Sequence, residues 1–493
     1  MLAGSFVGYL VALILIGALT YRLNKSIEDF VIAGRKLGAW VTAISAQASD
    51  MSGWLLLGIP GIAYTQGFGG FWTIIGSVVG VFFNWTVLAK RLRRYTEKLK
   101  AITLPDFYEA RFRDEDKKHL RVLSAVILIV FLMFYVSAQF VASGKALGAT
   151  FGFSYAQSVL IGAAVIVFYT MMGGFFAVAY TDLFQGLLMV GMLVILPVVA
   201  LFSIGGFGGM LKSMHSVDPG FLSFQSGKLG FAAFTLVVGH LAIGLGYPGQ
   251  PHIVTRFMAI KDPKKIRQST LISMIWVLLA GYGALFIGLT GLGVRPGLQD
   301  PETITMTMAM MLMPDWLAGL MIAAAMAAIM STADSQLLVA TSAIAEDFYR
   351  KMFKKDASQK ILLRISRVAT LIIALIALLF ALSQDPQAEG GIVFSFVLYA
   401  WGGLAASFGP LLILSLYWKR ITKAGAVAGM LVGTGVVIVW YNVACLKAIV
   451  YELVPAFVLS LLSIVIVSLL TKPPEGIAAE LNEIRPPSRG FNL

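Results

Sequence analysis

The chain consists of long apolar stretches separated by short polar ones. A helix that crosses a bilayer needs about 20 predominantly apolar residues. Thirteen stretches of this kind, numbered here as spans 1 to 13, cover residues 5–23, 40–65, 68–89, 122–143, 156–176, 182–204, 231–251, 270–292, 316–342, 366–384, 392–417, 424–443 and 450–471. This pattern predicts an all-α polytopic membrane protein with about thirteen transmembrane helices. A further surface helix is expected over 302–313, and no segment resembles a separate soluble domain.

The composition agrees with this interpretation. Hydrophobic residues make up 58% of the 493 residues and charged residues only 13%, whereas soluble proteins carry about 25% charged residues. The single cysteine, Cys445, excludes an internal disulfide and a cysteine-based metal centre. The first 20 residues lack a basic region and a small-residue cleavage site, so they are interpreted as a retained first span.

Basic residues are concentrated in alternate loops. Of the 38 Lys and Arg, 33 fall in 22–36, 90–121, 256–267, 350–367, 419–423 and the segment after span 13. The positive-inside rule therefore predicts an N-terminus outside the cell and a C-terminus in the cytoplasm. The net charge of +13 is attributed to topology and anionic lipid rather than to nucleic acid. The tail after Lys472 is short and contains proline, so we expect it to be mobile.

Two spans contain the residues that interrupt helices. Span 2 has the sequence SDMSG at 49–53, and span 7 has GLGYPGQP at 244–251. They lie five spans apart, an odd offset that makes them antiparallel in the membrane. Paired interrupted spans in corresponding halves indicate an inverted-repeat transporter with its site near the midplane. The alternative is that these Gly and Pro residues only kink or closely pack helices.

Polar residues at membrane depth suggest a cation site. Asp50 lies in the middle of span 2, where a carboxylate is costly and needs a cation, a cavity or a partner. Ala328, Ser331 and Thr332 fall at i, i+3 and i+4 of span 9, so one helix face presents two hydroxyls and a carbonyl. Such neutral oxygens suit sodium. The alternatives are an Asp50 that only holds the broken backbone, and hydroxyls that bond back to their own helix.

A second polar group lies one turn further along span 9. Asp334 and Ser335, together with Asp182 at the start of span 6, could hold a second cation or a proton. Alternatively, Asp182 caps span 6, and Asp334 points into a hydrated vestibule or pairs with a loop lysine. His240 precedes Tyr247 by seven residues, which places both on one face if the helix is regular. A lone membrane histidine can equally be an interhelical hydrogen-bonding residue.

Several motifs together resemble one transporter family. They are ASDMSGWLL at 48–56, LPDF at 104–107, GLGYPGQPHI at 244–253, RFMA at 256–259, MST at 330–332, SQLLV at 335–339 and EDFY at 346–349. In order and spacing, from about residue 5 to residue 472, the chain resembles the sodium:solute symporter family and in particular its bacterial sodium/proline symporters.

The resemblance implies a LeuT-type fold of five plus five inverted repeats. The expected organisation is one transporter domain over 1–493, with a first span at 5–23, repeat one at 40–204, repeat two at 231–417, two last spans within 424–471, and a cytoplasmic tail at 472–493. The implied sodium ligands are the carbonyls of Ala48, Met51 and Ala328 and the hydroxyls of Ser331 and Thr332. Asp182 and Ser335 match a second sodium site of some relatives, to which this chain adds Asp334.

The same resemblance implies a solute pocket at the two interrupted spans. Its expected residues are Asp50, Ser52, Gly53, Trp54, Tyr135, His240, Ile243, Tyr247 and Pro251. Ile243 stands where the proline symporters have a tryptophan, and His240 is atypical of them. These departures keep sodium coupling and leave the identity of the solute open.

The sequence therefore predicts a sodium-coupled secondary active symporter in the cell (inner) membrane. Its expected cargo is sodium together with proline or a related amino acid, taken up by alternating access. The alternatives are a symporter of another small carboxylate or solute, a passive channel, and a solute sensor. An enzyme is not expected, because four His and one Cys occur without an HExxH or GxSxG motif.

Overall fold

The structure, a computed structural model, describes residues 1–21, 26–172, 174–354, 356–384 and 391–484. These residues are helical and contain no β-strand. The helices are α1 (Leu2–Tyr21), α2 (Ile27–Ile32), α3 (Ala39–Asp50), α4 (Ile59–Gln66), α5 (Phe71–Phe83), α6 (Ala89–Lys98), α7 (Leu104–Arg111), α8 (His119–Phe151), α9 (Tyr155–Met172), α10 (Phe175–Ser203), α11 (Gly206–Val217) and α12 (Gly230–Leu241). They continue with α13 (Ile243–Gly246), α14 (Pro251–Ala259), α15 (Ile266–Val294), α16 (Ile304–Leu312), α17 (Asp315–Ser342), α18 (Gln359–Leu382), α19 (Ile392–Tyr417), α20 (Lys423–Asn442), α21 (Ala444–Lys447), α22 (Leu453–Leu470) and α23 (Ile477–Glu483).

The described part of the chain contains 11 helical stretches long and apolar enough to cross a membrane, so the predicted count of thirteen is not confirmed. The second half of span 2 and all of span 3 join into one stretch, Trp54–Lys98, because only a short turn at Gly67–Gly70 separates them. Span 5 contributes a shorter apolar helix, Tyr155–Phe168. Large apolar side chains such as Phe202 face outward, as expected of a surface in contact with lipid.

The predicted break in span 2 is confirmed. Helix α3 ends at Asp50, and Ser52 has a φ of 25°, outside the right-handed helical region. Helical structure resumes at Trp54 as a π-turn that leads into α4. Gly53 is required by close packing, because a Cβ there would lie 2.6 Å from the Cβ of Ala142 on α8.

The predicted break in span 7 is confirmed as well. After α13 the chain makes a 3-10 turn at Tyr247–Gly249, and Gln250 is extended. Helix α14 then begins at Pro251, a position where the missing N–H costs nothing. A Cβ on Gly249 would lie 2.6 Å from the Cα of Ala405, so this break packs directly against the backbone of α19.

A backbone pairing joins the segments next to the two broken spans. The N–H of Leu37, just before α3, donates to the carbonyl of Ala259 at 3.2 Å. The N–H of Lys261, just after α14, donates to the carbonyl of Leu37 at 2.9 Å. The half-helices α3 and α14 therefore begin and end at a shared point.

Two predictions about segments outside the spans have different outcomes. The helix expected over 302–313 is confirmed as α16, but its surface position is wrong, because five of its nine residues are buried: Ile304, Thr305, Met306, Met308 and Ala309. The prediction that the tail is mobile is wrong for 477–484, because α23 buries Ile477, Leu481 and Ile484 against the protein. Residues 485–493 of the tail lie outside the described residues.

Candidate sodium and solute site

The break in span 2 frees a carbonyl beside α17. In a continuous helix the N–H of Ser52 would donate to the carbonyl of Ala48, but here it donates to the hydroxyl of Thr332 at 3.0 Å. The hydroxyl of Ser331 donates to the Ala48 carbonyl at 2.8 Å and lies 3.2 Å from that of Ala328. The Thr332 hydroxyl lies 3.4 Å from the Ala48 carbonyl.

The structure thus brings together the oxygens predicted to hold sodium. The carbonyl of Met51, the fifth predicted ligand, accepts the N–H of Leu55 at 3.2 Å across the break and keeps a second lone pair. All five residues are buried. Neutral hydroxyls and carbonyls from an interrupted helix suit a monovalent hard cation, because they replace its hydration shell without adding charge.

Asp50 ends α3 with a carboxylate that has no hydrogen-bond partner among the described residues. It is fully buried, and its ionisable neighbours are Tyr135 and Tyr247. Its carbonyl accepts the indole N–H of Trp54 at 3.4 Å. The alternative in which the Asp50 side chain holds the broken backbone is wrong, because no backbone N–H reaches the carboxylate.

Unpaired polar atoms cluster between the two breaks. They are the carboxylate oxygens of Asp50, the hydroxyls of Tyr135 and Tyr247, the Oε1 of Gln250 and both ring nitrogens of His252. The rings of Tyr135 and His252 meet edge to face with centroids 5.8 Å apart. Buried polar atoms are nearly always paired in folded proteins, so this group marks the place where a polar ligand would be bound.

The span 2 break is also fastened to α8. The N–H of Gly53 donates to Oε1 of Gln139 at 2.9 Å, and the hydroxyl of Ser52 accepts the N–H of Trp54 at 3.3 Å. Gln139 was not predicted, since a glutamine within a long apolar span gives no sequence signal for a contact 86 residues away. Pro251 borders a separate cavity of about 20 Å³, beside Asp347 and away from the tyrosine hydroxyls.

An indole from another helix lies beside Ile243. Trp401 of α19 donates its ring N–H to the Ile243 carbonyl at 3.1 Å. It meets the Tyr247 ring at a centroid distance of 5.0 Å, and a Cβ on Gly246 would overlap its ring nitrogen. The tryptophan missing from position 243 is thus matched by one from 158 residues further along the chain.

His240 is not part of this site. Its Nδ1 lies 2.6 Å from the Thr73 hydroxyl and its Nε2 lies 3.0 Å from Oε1 of Gln66. Helix α12 ends at Leu241, so the helical periodicity that would have aligned His240 with Tyr247 is broken between them. His240 is therefore a histidine that forms hydrogen bonds with neighbouring helices, as the alternative interpretation predicted.

Asp182 and Ser335, two members of the predicted second cation site, are linked through Ser49. Oδ2 of Asp182 accepts the hydroxyls of Ser45 at 2.6 Å and Ser49 at 3.0 Å. The hydroxyls of Ser49 and Ser335 lie 2.9 Å apart. Asp182 does not cap its helix, because α10 already begins at Phe175.

Asp334 adjoins this group through Ser335, whose hydroxyl donates to its Oδ1 at 3.2 Å. Asp334 is fully buried, so the alternative of a hydrated vestibule is wrong for this residue.

A cation already lies among these oxygens. The guanidinium of Arg256 donates to Oδ2 of Asp182 at 3.1 Å and to the Ser335 hydroxyl at 2.5 Å. Arg256 was not predicted, although RFMA at 256–259 was noted as a motif.

A cavity of about 1240 Å³, called here the vestibule, reaches Gly58 and Gly61 in the second half of span 2. Its lining includes Lys145 near the end of α8, whose ammonium pairs with Glu302 at 2.7 Å and Asp300 at 2.8 Å. The floor is formed by Gly58 and Phe394: a Cβ on Gly58 would lie 3.1 Å from the Phe394 ring.

The opposite end of α8 is sealed by a buried ionic group, called here the Arg121 cluster. Arg121 pairs with Asp106, Glu109 and Asp347. Arg111, in the same basic segment, is also fully buried and donates to the carbonyl of Ser415 at 3.0 Å. The attribution of the basic residues in 90–121 to topology and lipid is therefore wrong for these two arginines, which the chain uses as internal ties.

Comparison with known proteins agrees with these features. The model of the sodium:solute symporter family matches residues 30–433. The high-affinity proline transporter PutP of Bacillus subtilis is 42% identical over 96% of this chain and 98% of its own length. A sodium/proline symporter of Escherichia coli is 40% identical over 95% of this chain and 93% of its own length.

Solved structures show the fold. A Na⁺-coupled sialic acid symporter in a substrate-bound outward-open state superposes with a TM-score of 0.79 at 21% identity, over 96% of this chain and 98% of its own. The nucleobase-cation-symport-1 family transporter MHP1 superposes with a TM-score of 0.53 at 13% identity, over 92% and 98% of the two chains. The LeuT-type fold is thus confirmed.

These matches settle the class of protein. The predicted resemblance is confirmed, as are a multi-pass membrane protein, sodium as the coupling ion and a carrier rather than an enzyme. The family model covers most of the chain, and two relatives match nearly all of it. This chain belongs to the sodium:solute symporter family.

Proposed function

We propose that this protein imports proline, or an amino acid closely related to it, together with sodium by alternating access. The main support is the group of neutral oxygens between the span 2 break and α17, which adjoins a group of unpaired polar atoms. The full-length relatives named as proline transporters support the choice of solute. The Tyr247 ring and the Trp401 indole, packed edge to face with centroids 5.0 Å apart, would supply apolar surface for a small ring.

The proposed sodium ion is held by the carbonyls of Ala48, Met51 and Ala328 and the hydroxyls of Ser331 and Thr332. Binding there joins α3 to α17, because each helix supplies part of the coordination. The charge of the ion also offsets that of the nearby Asp50 carboxylate, which makes the adjoining pocket ready for a zwitterion.

The solute carboxylate is proposed to face the free N–H groups at the helix breaks, where the partial positive charge of a helix start favours an anion. The ammonium group faces the hydroxyls and rings of Tyr135 and Tyr247. With both ligands bound, the two repeats, 40–204 and 231–417, rock about the site. One sodium ion moving through −100 mV contributes about 2.3 kcal/mol to this import.

The proposed orientation places the N-terminus outside and the C-terminus in the cytoplasm of the cell membrane, following the positive charges. In that orientation the vestibule opens to the outside and the Arg121 cluster lies at the cytoplasmic end. The second repeat and the last two spans, 424–471, belong to the same single domain. Thiol labelling of Cys445, the exposed cysteine within α21, from one side of sealed vesicles tests the orientation.

The decisive experiment is uptake of radiolabelled proline into proteoliposomes under an inward sodium gradient, with a potassium gradient as control. We expect saturable uptake that requires sodium, with other amino acids and small carboxylates as competitors. Uptake that never saturates would indicate a channel. Saturable sodium-dependent uptake of a competitor without proline uptake would retain the carrier and replace the solute.

The sodium ligands are tested in the same assay. Ser331→Ala deletes one of few oxygen ligands, so we expect the sodium concentration for half-maximal uptake to rise about tenfold, the equivalent of about 1.4 kcal/mol, with unchanged solute preference. Ser342→Ala is the matched control, because Ser342 is a buried serine of the same helix about 16 Å further along it. Equal sodium dependence in both variants would refute the ligand assignment.

A further inference from the structure

Arg256 is a fully buried cation held by three helices. It lies on α14, and its Nε donates to the Ser45 hydroxyl on α3 at 3.2 Å. Its Nη2 contacts Asp182 on α10 and Ser335 on α17, at 3.1 and 2.5 Å. Its Nη1 donates to the His252 carbonyl at 2.5 Å. Each nitrogen of this guanidinium therefore contacts an oxygen, and the Phe175 ring lies against one face, with its centroid 4.9 Å from Cζ.

The oxygens that Arg256 occupies are the neighbours of the proposed sodium site. Ser335 follows Ser331 by one turn of α17, about 6 Å along the same face. Ser49 follows Ala48 directly on α3, and its hydroxyl contacts both Asp182 and Ser335. A sodium ion that leaves the site toward the sealed end would meet these oxygens next.

That direction is the exit proposed for sodium. Helix α17 continues from Ser335 into the π-helical segment Ala343–Phe353, which carries Asp347 of the Arg121 cluster. Helix α3 runs the other way, so Ser45 lies between the sodium site and the Leu37 pairing at the same end. Arg256 therefore lies between the sodium site and the cytoplasmic end of the molecule.

We propose that Arg256 is an electrostatic barrier on the sodium exit path. Its guanidinium donates to the Asp182 and Ser335 oxygens that would have to receive the ion, and its charge repels sodium at that position. Sodium leaves only after α14, together with α3, has moved away from α17, which couples release of the ion to the conformational change. The inference rests on the sodium site proposed above, and it adds a residue that controls leakage rather than affinity.

The competing interpretation is a purely structural ion pair, in which Arg256 and Asp182 only hold the helices together. The two interpretations differ in what a neutral side chain at position 256 does to sodium in the absence of solute. If Arg256 is a barrier, its neutral replacement lets sodium cross without solute. If Arg256 only holds the helices together, the replacement weakens the fold and lowers all transport.

The experiment measures the flux of radiolabelled sodium into proteoliposomes of the full chain, without solute, under an inside-negative potential. For Arg256→Gln we expect a solute-independent flux at least about tenfold above wild type, since a unit charge a few ångströms away acts strongly in a protein interior. Arg256→Lys keeps the charge and is expected to leak less than Arg256→Gln. Equal leakage in the lysine and glutamine variants would refute a barrier based on charge.

A double variant keeps the test decisive if Arg256→Gln folds poorly. Asp182→Asn with Arg256→Gln removes both charges of the pair, so neither member is left buried without the other, and Asp334 beside Ser335 is unchanged. A flux above wild type in the double variant supports the barrier, and a flux equal to wild type overturns it. Failure of the sodium site itself is distinguished by Ser331→Ala, which would then leave sodium dependence unchanged whatever Arg256 does.

Discussion

Arg121 and Lys145, near the two ends of α8, lie about 36 Å apart along the helix, and their surroundings differ. Near the Lys145 end, the vestibule offers about 1240 Å³ of open space. At the Arg121 end, the small cavity beside Asp347 has about 20 Å³, roughly the room that one water molecule needs. The molecule is open at one end and closed at the other, which is the outward-facing arrangement if the proposed orientation holds.

The chemistry of closure also differs between the ends. Toward the vestibule, the Phe394 ring packs against Gly58, and the backbone N–H of Phe394 donates to Glu302 at 3.0 Å. The sealed end is held by buried arginines: Arg35 donates to the carbonyls of Met258, Thr96 and Ala101 at 2.7 to 3.1 Å. A ring can turn aside at little cost, whereas these charged donors must all find new partners before the sealed end can open.

Arg121→Gln is expected to have the largest effect, because it breaks the sealed end. It leaves Asp106, Glu109 and Asp347 close together without their shared cation, at a cost of about 3–5 kcal/mol in the free energy of unfolding. Thermal unfolding in detergent measures the loss. Arg113→Gln is the control, since Arg113 is partly exposed and pairs only with Glu480; a change of under about 1 kcal/mol is expected there.

Asp50→Asn acts at the boundary between the two ends. The amide keeps the shape of the side chain but removes the charge beside the proposed sodium ion, so sodium-driven accumulation should fall about a hundredfold, the equivalent of about 2.7 kcal/mol. The variant should still insert and unfold at a temperature near that of wild type. Uptake at the wild-type rate in that variant would mean that the carboxylate has no part in coupling.

Lys145→Met removes one charge at the open end and so sharpens the comparison with Arg121. We expect a loss of about 1–2 kcal/mol in unfolding free energy, less than for Arg121→Gln, because Asp300 is partly exposed and vestibule water can solvate it. In this variant Glu302 still accepts hydrogen bonds from the N–H groups of Val393 and Phe394, at 3.3 and 3.0 Å. A loss as large as that of Arg121→Gln would show that the open end is equally dependent on its ion pairs.

Glu480→Gln should have the smallest effect, about 0.5–1 kcal/mol. Burial alone would raise the pKa of Glu480, but hydrogen bonds from Tyr95 and Arg113 outweigh it and hold the pKa below its usual value. The stabilisation is therefore present above the pKa of the unfolded chain and is lost as the pH falls through the lower pKa of the folded protein. Thermal unfolding of wild type and variant should converge at that acidic pH and differ at neutral pH.

The sequence alone could place the two helix breaks and the candidate sodium ligands of span 9, since both depend on local features. Gly and Pro interrupt helices wherever they lie, and the spacing of Ser331 and Thr332 fixes their common face. Asp50 at mid-span was informative for the same reason. None of these inferences needed to know which helices become neighbours.

The contacts that the sequence could not supply all join distant segments. Trp401 reaches Ile243 from another helix, and Arg256 reaches Asp182 across 74 residues. The prediction that His240 and Tyr247 share one helix face was wrong for the opposite reason. It assumed a regular helix through both residues, but the helix ends at Leu241. A count of basic residues predicts which loops are cytoplasmic, but it cannot separate an arginine facing lipid from Arg121, which lies inside.

The backbone pairing at Leu37 has a mechanical consequence. Helices α3 and α14 belong to different repeats, yet two backbone hydrogen bonds join the start of α3 to the end of α14. A torque applied to α3 at the Ala48 end is transmitted to α14, and so to Arg256, unless both bonds break. The two half-helices therefore move together relative to α17. The movement that separates Ala48 from Ser331 and Thr332 also separates Arg256 from Ser335.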